Sequence, residues 1–136
     1  MSIVVDTNVV VSGLKTLHGP AAAVLARVSA RDIVLCYDAR ILDEYRDVLA
    51  RAKLAIPSSE ARAFLELVAR YGLEARNVAR VAYELPDPDD QPFLEVAISL
   101  SAEAIVTGNL RHFPTSAGVT IVSPRALLEK LGSPPR

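Results

Sequence analysis

Three carboxylates lie at positions where a folded chain would hold them partly inside. Asp6 directly follows the apolar run 3–5, as an acid does when a buried parallel strand delivers it to the carboxyl edge of a sheet. Glu44 and Asp90 fall on predicted helices, at or near the apolar face. Like charges that share a site are costly unless a cation joins them, and carboxylate oxygens suit Mg²⁺ or Mn²⁺. We therefore predict metal ligands at Asp6, Glu44 and Asp90.

Helical periodicity selects Glu44 among the acids of the helix that we predict from Asp38 to about Lys53. At roughly 100° per residue, Asp43 and Asp47 point away from the apolar stripe, whereas Glu44 sits at its border. The residues of this stripe share the spacing of a core-facing helix; they are Ile41, Leu42, Tyr45, Val48 and Leu49. Glu44 is thus the acid of this helix that can lean into the protein.

The same test applies to the helix predicted from about Asp90 to Ser101, which follows an acidic, proline-rich loop. Asp90 is in line with the inner face, Asp89 lies about a quarter-turn off, and Glu95 points outward. We also expect the field of the helix amino terminus to favour the ionised Asp90 carboxylate and to lower its pKa. The inner face consists of apolar residues and one serine: Leu94, Ala97, Ile98 and Ser101.

Strands and helices alternate from one end of the chain to the other. This order predicts an α/β fold: a single three-layer domain with a mostly parallel sheet of four or five strands, flanked by helices. The domain is expected to span residues 1–131, with a frayed tail at 132–136. The predicted strands are 2–6, 32–36, 104–107 and 119–122, with a less certain extended piece within 74–83. The predicted helices are 21–30 after Pro20, 38–53, 58–71 up to Gly72, 90–101 and 124–131.

Composition sets limits on location and partners. The 136 residues carry a formal charge of -1, so any contact with RNA must be local rather than spread over a basic surface. The single cysteine excludes an intramolecular disulfide. We see no export signal and no stretch of transmembrane length, so we expect a cytoplasmic protein without a membrane partner.

Four segments together resemble a known family. The run Val4 to Gly13 resembles the opening of PIN domains, particularly the toxin ribonuclease branch of bacterial toxin-antitoxin modules. Leu42 to Tyr45 falls where that family places a helix glutamate. Asp87 to Leu94 resembles its third acidic motif, and Ile105 to Asn109 resembles its last one. The order and spacing of all four make the resemblance specific, and it covers residues 3 to about 125.

The resemblance implies an enzyme that cleaves single-stranded RNA with Mg²⁺ or Mn²⁺, as a homodimer often silenced by a cognate antitoxin. It carries the roles of catalytic residue and metal ligand over to Asp6, Glu44 and Asp90. Asn109 is a fourth metal-ligand candidate, although many PIN domains have aspartate there. The remaining candidates are Thr7, Asn8 and Thr107, which would orient ligands or water, and Arg111 and His112, which would contact RNA.

Each motif also has a simpler interpretation. The segment 6–8 could be a helix cap, Glu44 could be an acid paired with an arginine, and 87–90 could be a solvated turn. Two other functions stay open at this point. A phosphatase of the haloacid dehalogenase type also has an aspartate after its first strand, but its chemistry requires a second acid at the position where this chain has Asn8. A PIN-like module that binds RNA or a partner without cutting is made plausible by Asn109.

Overall fold

Five parallel strands form the sheet of this protein, in the order β3-β2-β1-β4-β5. The computed structural model describes residues 1–82, 84–113 and 118–132. The strands are β1 (Ser2–Val5), β2 (Val34–Tyr37), β3 (Leu73–Glu74), β4 (Ala104–Val106) and β5 (Ile121–Val122).

Among the described residues, six α-helices flank the sheet, with three single 3₁₀ turns between them. Because crossovers between parallel strands are right-handed as a rule, this strand order puts the helices that join β1 to β2 and β2 to β3 on one face and the helix between β3 and β4 on the other. The helices are α1 (Thr7–Lys15), α2 (Pro20–Ser29), α3 (Ala39–Leu49), α4 (Ser58–Tyr71), α5 (Gln91–Ser99) and α6 (Pro124–Leu131). The 3₁₀ turns are Ala52–Leu54, Pro88–Asp90 and Leu110–His112. The predicted single three-layer α/β domain is confirmed.

The helix boundaries follow local chemistry. The Asp38 side chain caps α3 by accepting from the Ile41 amide at 3.0 Å. Gly72 ends α4, as predicted, and a Cβ there would lie 2.5 Å from the Val68 carbonyl oxygen and 2.9 Å from that of Leu35. Only glycine therefore lets the end of α4 pass so close to the sheet.

Tyr45 lies at the centre of the packing between the helices. Its side chain is fully buried, with its ring 5.7 Å from that of Phe64 on α4 and 6.4 Å from that of Phe93 on α5. The two contacts join helices from different parts of the chain around one aromatic ring. Glu44, the neighbour of Tyr45 on α3, is therefore held by a rigid support.

Several sequence expectations were wrong in detail. The helix α1 was not predicted, and in the described part of the predicted extended piece, residues 74–82, the structure has only the end of the short strand β3. Glu95, expected to point outward, is 2% exposed. Ser101, expected on the inner face of α5, is exposed and has a φ of 51°, beyond the end of that helix. Tyr83, segment 114–117 of the predicted loop and 133–136 of the predicted tail lie outside the described residues.

No single helix among the described residues is long and apolar enough to cross a membrane. The helices α1 and α2 reach the required length and composition only together, as a pair bent by 96°.

Candidate metal centre

Asp6 lies at the carboxyl end of β1, beside the residue that follows the neighbouring strand β4. The register pairs Val5 with Val106, so the next residues, Asp6 and Thr107, lie side by side at the sheet edge. The Thr107 hydroxyl donates to Oδ2 of Asp6 at 2.7 Å, and both side chains are buried. Asp6 occupies the N-cap position of α1, but its side chain makes no capping hydrogen bond. A helix cap therefore does not account for the placement of this carboxylate.

Glu44 reaches the same edge of the sheet from α3. It is half-buried, and its Oε2 accepts a short hydrogen bond from the Thr7 hydroxyl at the start of α1. The hydroxyl of Tyr45 donates to the Val5 carbonyl, which ties α3 to the end of β1. Asp43 is exposed on the same helix, as helical geometry predicted. Among the described residues, Glu44 forms a hydrogen bond with Thr7 and no ion pair with an arginine, so its contacts do not support the simpler interpretation of an acid paired with an arginine.

Asp90 ends the 3₁₀ turn Pro88–Asp90 and is buried. Its Oδ2 lies 2.9 Å from Nδ1 of His112, in a geometry that does not satisfy a hydrogen bond. Among the described residues, this fully buried oxygen finds no hydrogen-bond partner. Asp87, at the start of the turn, accepts from the Asp89 amide at 3.0 Å. Asp87 is half-buried in this turn. Oδ2 of Asp90 has no well-aligned hydrogen-bond donor among the described residues.

Asp87, Asp90 and His112 form a cluster whose potential ligand atoms all lie within 4.8 Å of one another. From the sequence alone, Asp87 has no predicted role and His112 is predicted to contact RNA. The short acidic run around Asp90 offered a signal for Asp87, since proline on either side restricts its backbone. His112 gave no such signal, because its approach to Asp90 depends on the path of the chain after β4.

The pKa values show that these acids share one electrostatic environment. Burial, together with the charges of Asp6 and Asp87, raises the pKa of Asp90 to about 6, while His112 opposes the shift. This corrects the expectation of a lowered pKa, since burial and neighbouring acids outweigh the helix terminus. Burial also raises the pKa of Asp6 and of Glu44, against the hydrogen bonds from Thr107 and Thr7. The charge of Asp6 contributes to the raised pKa values of both Glu44 and Asp90. Among the described residues, however, the group of potential ligand atoms within 4.8 Å of one another consists of Asp87, Asp90 and His112 and includes neither Asp6 nor Glu44.

The other predicted residues surround this group. The Asn8 Oδ1 accepts from the Gly108 amide at 3.2 Å, which joins the start of α1 to the loop after β4. The Asn109 amide donates to the Thr107 hydroxyl at 3.0 Å, and its side-chain nitrogen lies 2.8 Å from Nε2 of His112. Arg111 is exposed on the next 3₁₀ turn. Asn109 thus reaches the cluster through His112.

A comparison with known protein families identifies the family of the chain that carries these acids. Residues 2–111 match the family described as the PIN domain, a span that includes the first strand and all the acids described above. The chain belongs to the PIN-domain family. A comparison with curated proteins finds no significant match.

A solved structure shares the fold of this PIN domain. The chain is similar to one in the crystal structure of FitAcB from Neisseria gonorrhoeae, with a TM-score of 0.60 and 20% sequence identity. The similarity covers 90% of this chain and 98% of the other. At this identity the likeness concerns the fold alone.

The residues of this PIN domain fit a hard divalent cation. The carboxylate oxygens suit hard cations such as Mg²⁺ and Mn²⁺, whereas the imidazole of His112 is a ligand that softer divalent metals prefer. Asp90 supplies a buried oxygen that lacks a hydrogen-bond partner among the described residues, and such an atom is costly unless something binds it. A bound cation would also offset the repulsion that raises the pKa of Asp90.

Proposed function

We propose that this PIN domain is a metal-dependent endoribonuclease that cleaves single-stranded RNA. The observation that carries the proposal is the cluster of Asp87, Asp90 and His112, whose potential ligand atoms all lie within 4.8 Å of one another, with the charge of Asp6 acting on Asp90. Membership of the PIN-domain family supports a hydrolase that acts on phosphodiester bonds. The haloacid dehalogenase alternative gains no support from this family match.

The ligands that we propose for Mg²⁺ or Mn²⁺ are Asp6, Glu44 and Asp90, with Asn109 as the weaker candidate. The cluster adds Asp87 and His112 to this set. Such a cation, when bound, supplies a more acidic water and stabilises negative charge on phosphoryl oxygens. Asn109 brings no negative charge, so the donor set is less acidic there than in a site with four carboxylates.

The chain's own contribution is to hold its acids in place before substrate arrives. Thr107 fixes Asp6 through a 2.7 Å hydrogen bond, and Thr7 fixes Glu44. Partners of this kind orient ligands so that little reorganisation is needed at the moment of reaction. Asn8 anchors the loop after β4 through Gly108. We propose that Thr7, Asn8 and Thr107 act as positioning residues.

RNA would approach the open side of this edge. Arg111 is exposed close to His112 in the chain, and its planar guanidinium suits phosphate oxygens. His112 lies between Asp90 and Asn109 and therefore belongs to the pocket itself. We propose Arg111 as an RNA contact and His112 as a group at the cleavage site that also meets the substrate.

The biological role that we propose is the toxin of a toxin-antitoxin module. It rests on the resemblance of four sequence segments to that branch of the family. A cognate antitoxin and a homodimer follow from the same resemblance. Co-expression with the product of the neighbouring open reading frame would test for the antitoxin, and light scattering of the purified chain would test for the dimer. A cytoplasmic location stays a prediction.

The cleavage assay uses purified protein, diverse single-stranded RNAs and either Mn²⁺ or Mg²⁺. We expect cleavage that stops with EDTA and falls about a hundredfold or more in Asp90→Asn, the scale on which removing a preorganised charge-stabilising group slows an enzyme. The matched control is Asp89→Asn, an exposed acid of the same turn, which should keep its activity. Intact RNA with metal-loaded wild type would favour the non-cutting module instead.

A further inference from the structure

Glu95 is a buried acid that the proposed reaction does not use. It lies on α5, one turn after the candidate ligand Asp90, and is 2% exposed. Its Oε1 accepts from Nη1 of Arg40 at 2.7 Å, and its Oε2 accepts from the Val81 amide at 2.9 Å. A carboxylate this deeply buried needs such partners, and here they come from two other segments.

The contacts of Glu95 continue to the start of α3 and to both ends of the acidic segment. Arg40 also donates through Nε to Oδ2 of Asp38 at 2.8 Å, and Asp38 is the cap of α3. On the other side, Nε2 of Gln91 donates to the Val81 carbonyl at 3.0 Å. Val81 precedes the acidic turn, and Gln91 directly follows Asp90. Both ends of the segment that bears Asp87 and Asp90 are therefore tied to one buried network.

We propose that Glu95 and Arg40 are positioning residues that form a clamp on the segment 81–91. The clamp connects α3, which carries Glu44, to the turn that carries Asp87 and Asp90. It thereby fixes the distance between acids contributed by separate elements. The part of this proposal that concerns a cation site rests on the proposed function. The part that concerns how the clamp holds the segment 81–91 applies to the metal-free protein as well.

A simple charge pair would have different consequences. If Arg40 did no more than neutralise Glu95, its removal would leave the region more negative and would strengthen the binding of a divalent cation. If the clamp places the ligands, its removal would weaken that binding. Arg40→Gln therefore separates the two roles by the sign of the change. Arg40 is partly exposed, with 43% of its side chain accessible, and glutamine keeps a donor for the buried Glu95 carboxylate, so we expect Arg40→Gln to fold with a lower free energy of unfolding.

The test measures Mn²⁺ affinity by electron paramagnetic resonance in wild type and Arg40→Gln, together with amide hydrogen exchange of the metal-free proteins. The matched control is Arg46→Gln, which removes the same charge from the exposed side of α3. We expect Arg40→Gln to bind Mn²⁺ about tenfold more weakly, the usual loss when a partner behind metal ligands is removed. We also expect exchange over 78–91 to be at least about fivefold faster, because local opening becomes easier. Arg46→Gln should match wild type in both measurements.

Equal or tighter Mn²⁺ binding by Arg40→Gln would overturn the clamp, and so would unchanged exchange over 78–91. If wild type binds no Mn²⁺, the proposed function fails, while faster exchange in the metal-free variant still supports the clamp. Circular dichroism checks that the variant is folded. Should Arg40→Gln fail to fold, the isosteric Glu95→Gln takes its place, and its exchange over 78–91 decides in the same way.

Discussion

The Asp90 carboxyl is buried at the start of α5, and its pKa is raised to about 6 by burial and by the charges of Asp6 and Asp87. A raised pKa in the folded state means that the fold favours the protonated form. The stabilisation from this group is complete below the unfolded pKa near 3.8 and is lost as the pH rises through about 6. At neutral pH the metal-free protein therefore holds an ionised Asp90 at a cost.

Replacing Asp90 by asparagine should remove that cost. We expect Asp90→Asn to raise the free energy of unfolding of the metal-free protein at pH 7.5 by about 1 to 3 kcal/mol. Urea denaturation with EDTA present measures the change. At pH 4, where the wild-type carboxyl is largely protonated, the difference should shrink. A variant that is less stable than wild type at pH 7.5 would contradict this view of the pocket.

Metal binding should respond to pH through the same carboxyl. Protons compete with the cation for Asp90, so Mn²⁺ affinity should fall by about tenfold per pH unit below pH 6. The raised pKa values of Asp6 and Glu44 act in the same direction. Calorimetric titration between pH 5 and 7.5 measures the profile. An affinity that stays constant over this range would show that these acids do not bind the ion.

Elements, rather than single residues, determine which acids meet. The carboxyl ends of β1 and β4 place Asp6 beside Thr107, and α3 and the turn before α5 bring Glu44 and Asp90 to the same edge. The packing of the helices on the sheet leaves little space for change elsewhere in the fold. Gly72 shows this at the end of α4, where a Cβ would also lie 2.8 Å from Cε1 of Tyr37.

We expect Gly72→Ala to lower the free energy of unfolding by about 1 to 3 kcal/mol, the usual cost of forcing atoms into packed space. The control is Gly108→Ala, whose Cβ would make only ordinary contacts, the nearest at 3.5 Å to Asn8. Thermal or urea unfolding measures both. Equal stability of Gly72→Ala and wild type would mean that α4 and β2 can separate freely.

Periodicity in the sequence predicted which acids face inward. Strand alternation and helix phase predicted Asp6 after β1, Glu44 on the inner border of α3 and Asp90 before α5, and their role as metal ligands stays a prediction. Asp87 and His112 were not predicted as metal ligands, because they lie in irregular segments whose paths follow from tertiary contacts. These sequence patterns define the elements, but not the loops between them.

Two other errors of the sequence predictions also involve packing between distant parts of the chain. Glu95 was placed outward by helix phase, but α5 is buried on more than one face, from Phe93 to Ala97, and Arg40 of a distant helix pairs with the Glu95 carboxylate. The helix α1 was not predicted, because Val9 to Val11 are β-branched and Gly13 is a poor helix former. Gly13 instead allows close packing, since a Cβ there would lie 2.5 Å from Cδ1 of Leu25 on α2.

At the scale of the whole molecule, a five-stranded PIN domain presents one acidic edge on a chain of formal charge -1. A surface without overall positive charge attracts RNA weakly at long range, so recognition must come from contacts near the edge. A divalent cation at that edge would offset part of the negative charge of the acids where a phosphate must approach. The acidic pocket would therefore accept the proposed RNA substrate more readily when a metal is bound.

The most direct test is a calorimetric titration of Mn²⁺ into wild type and Asp90→Asn at pH 7.5, with RNA cleavage scored in the same samples. We predict that wild type binds Mn²⁺ and cleaves single-stranded RNA, and that the variant does neither while remaining folded. Wild type that binds no Mn²⁺, or a variant that cleaves as well as wild type, would contradict the metal-dependent ribonuclease. Binding without cleavage would contradict the enzymatic role and favour a PIN domain that holds RNA without cutting it.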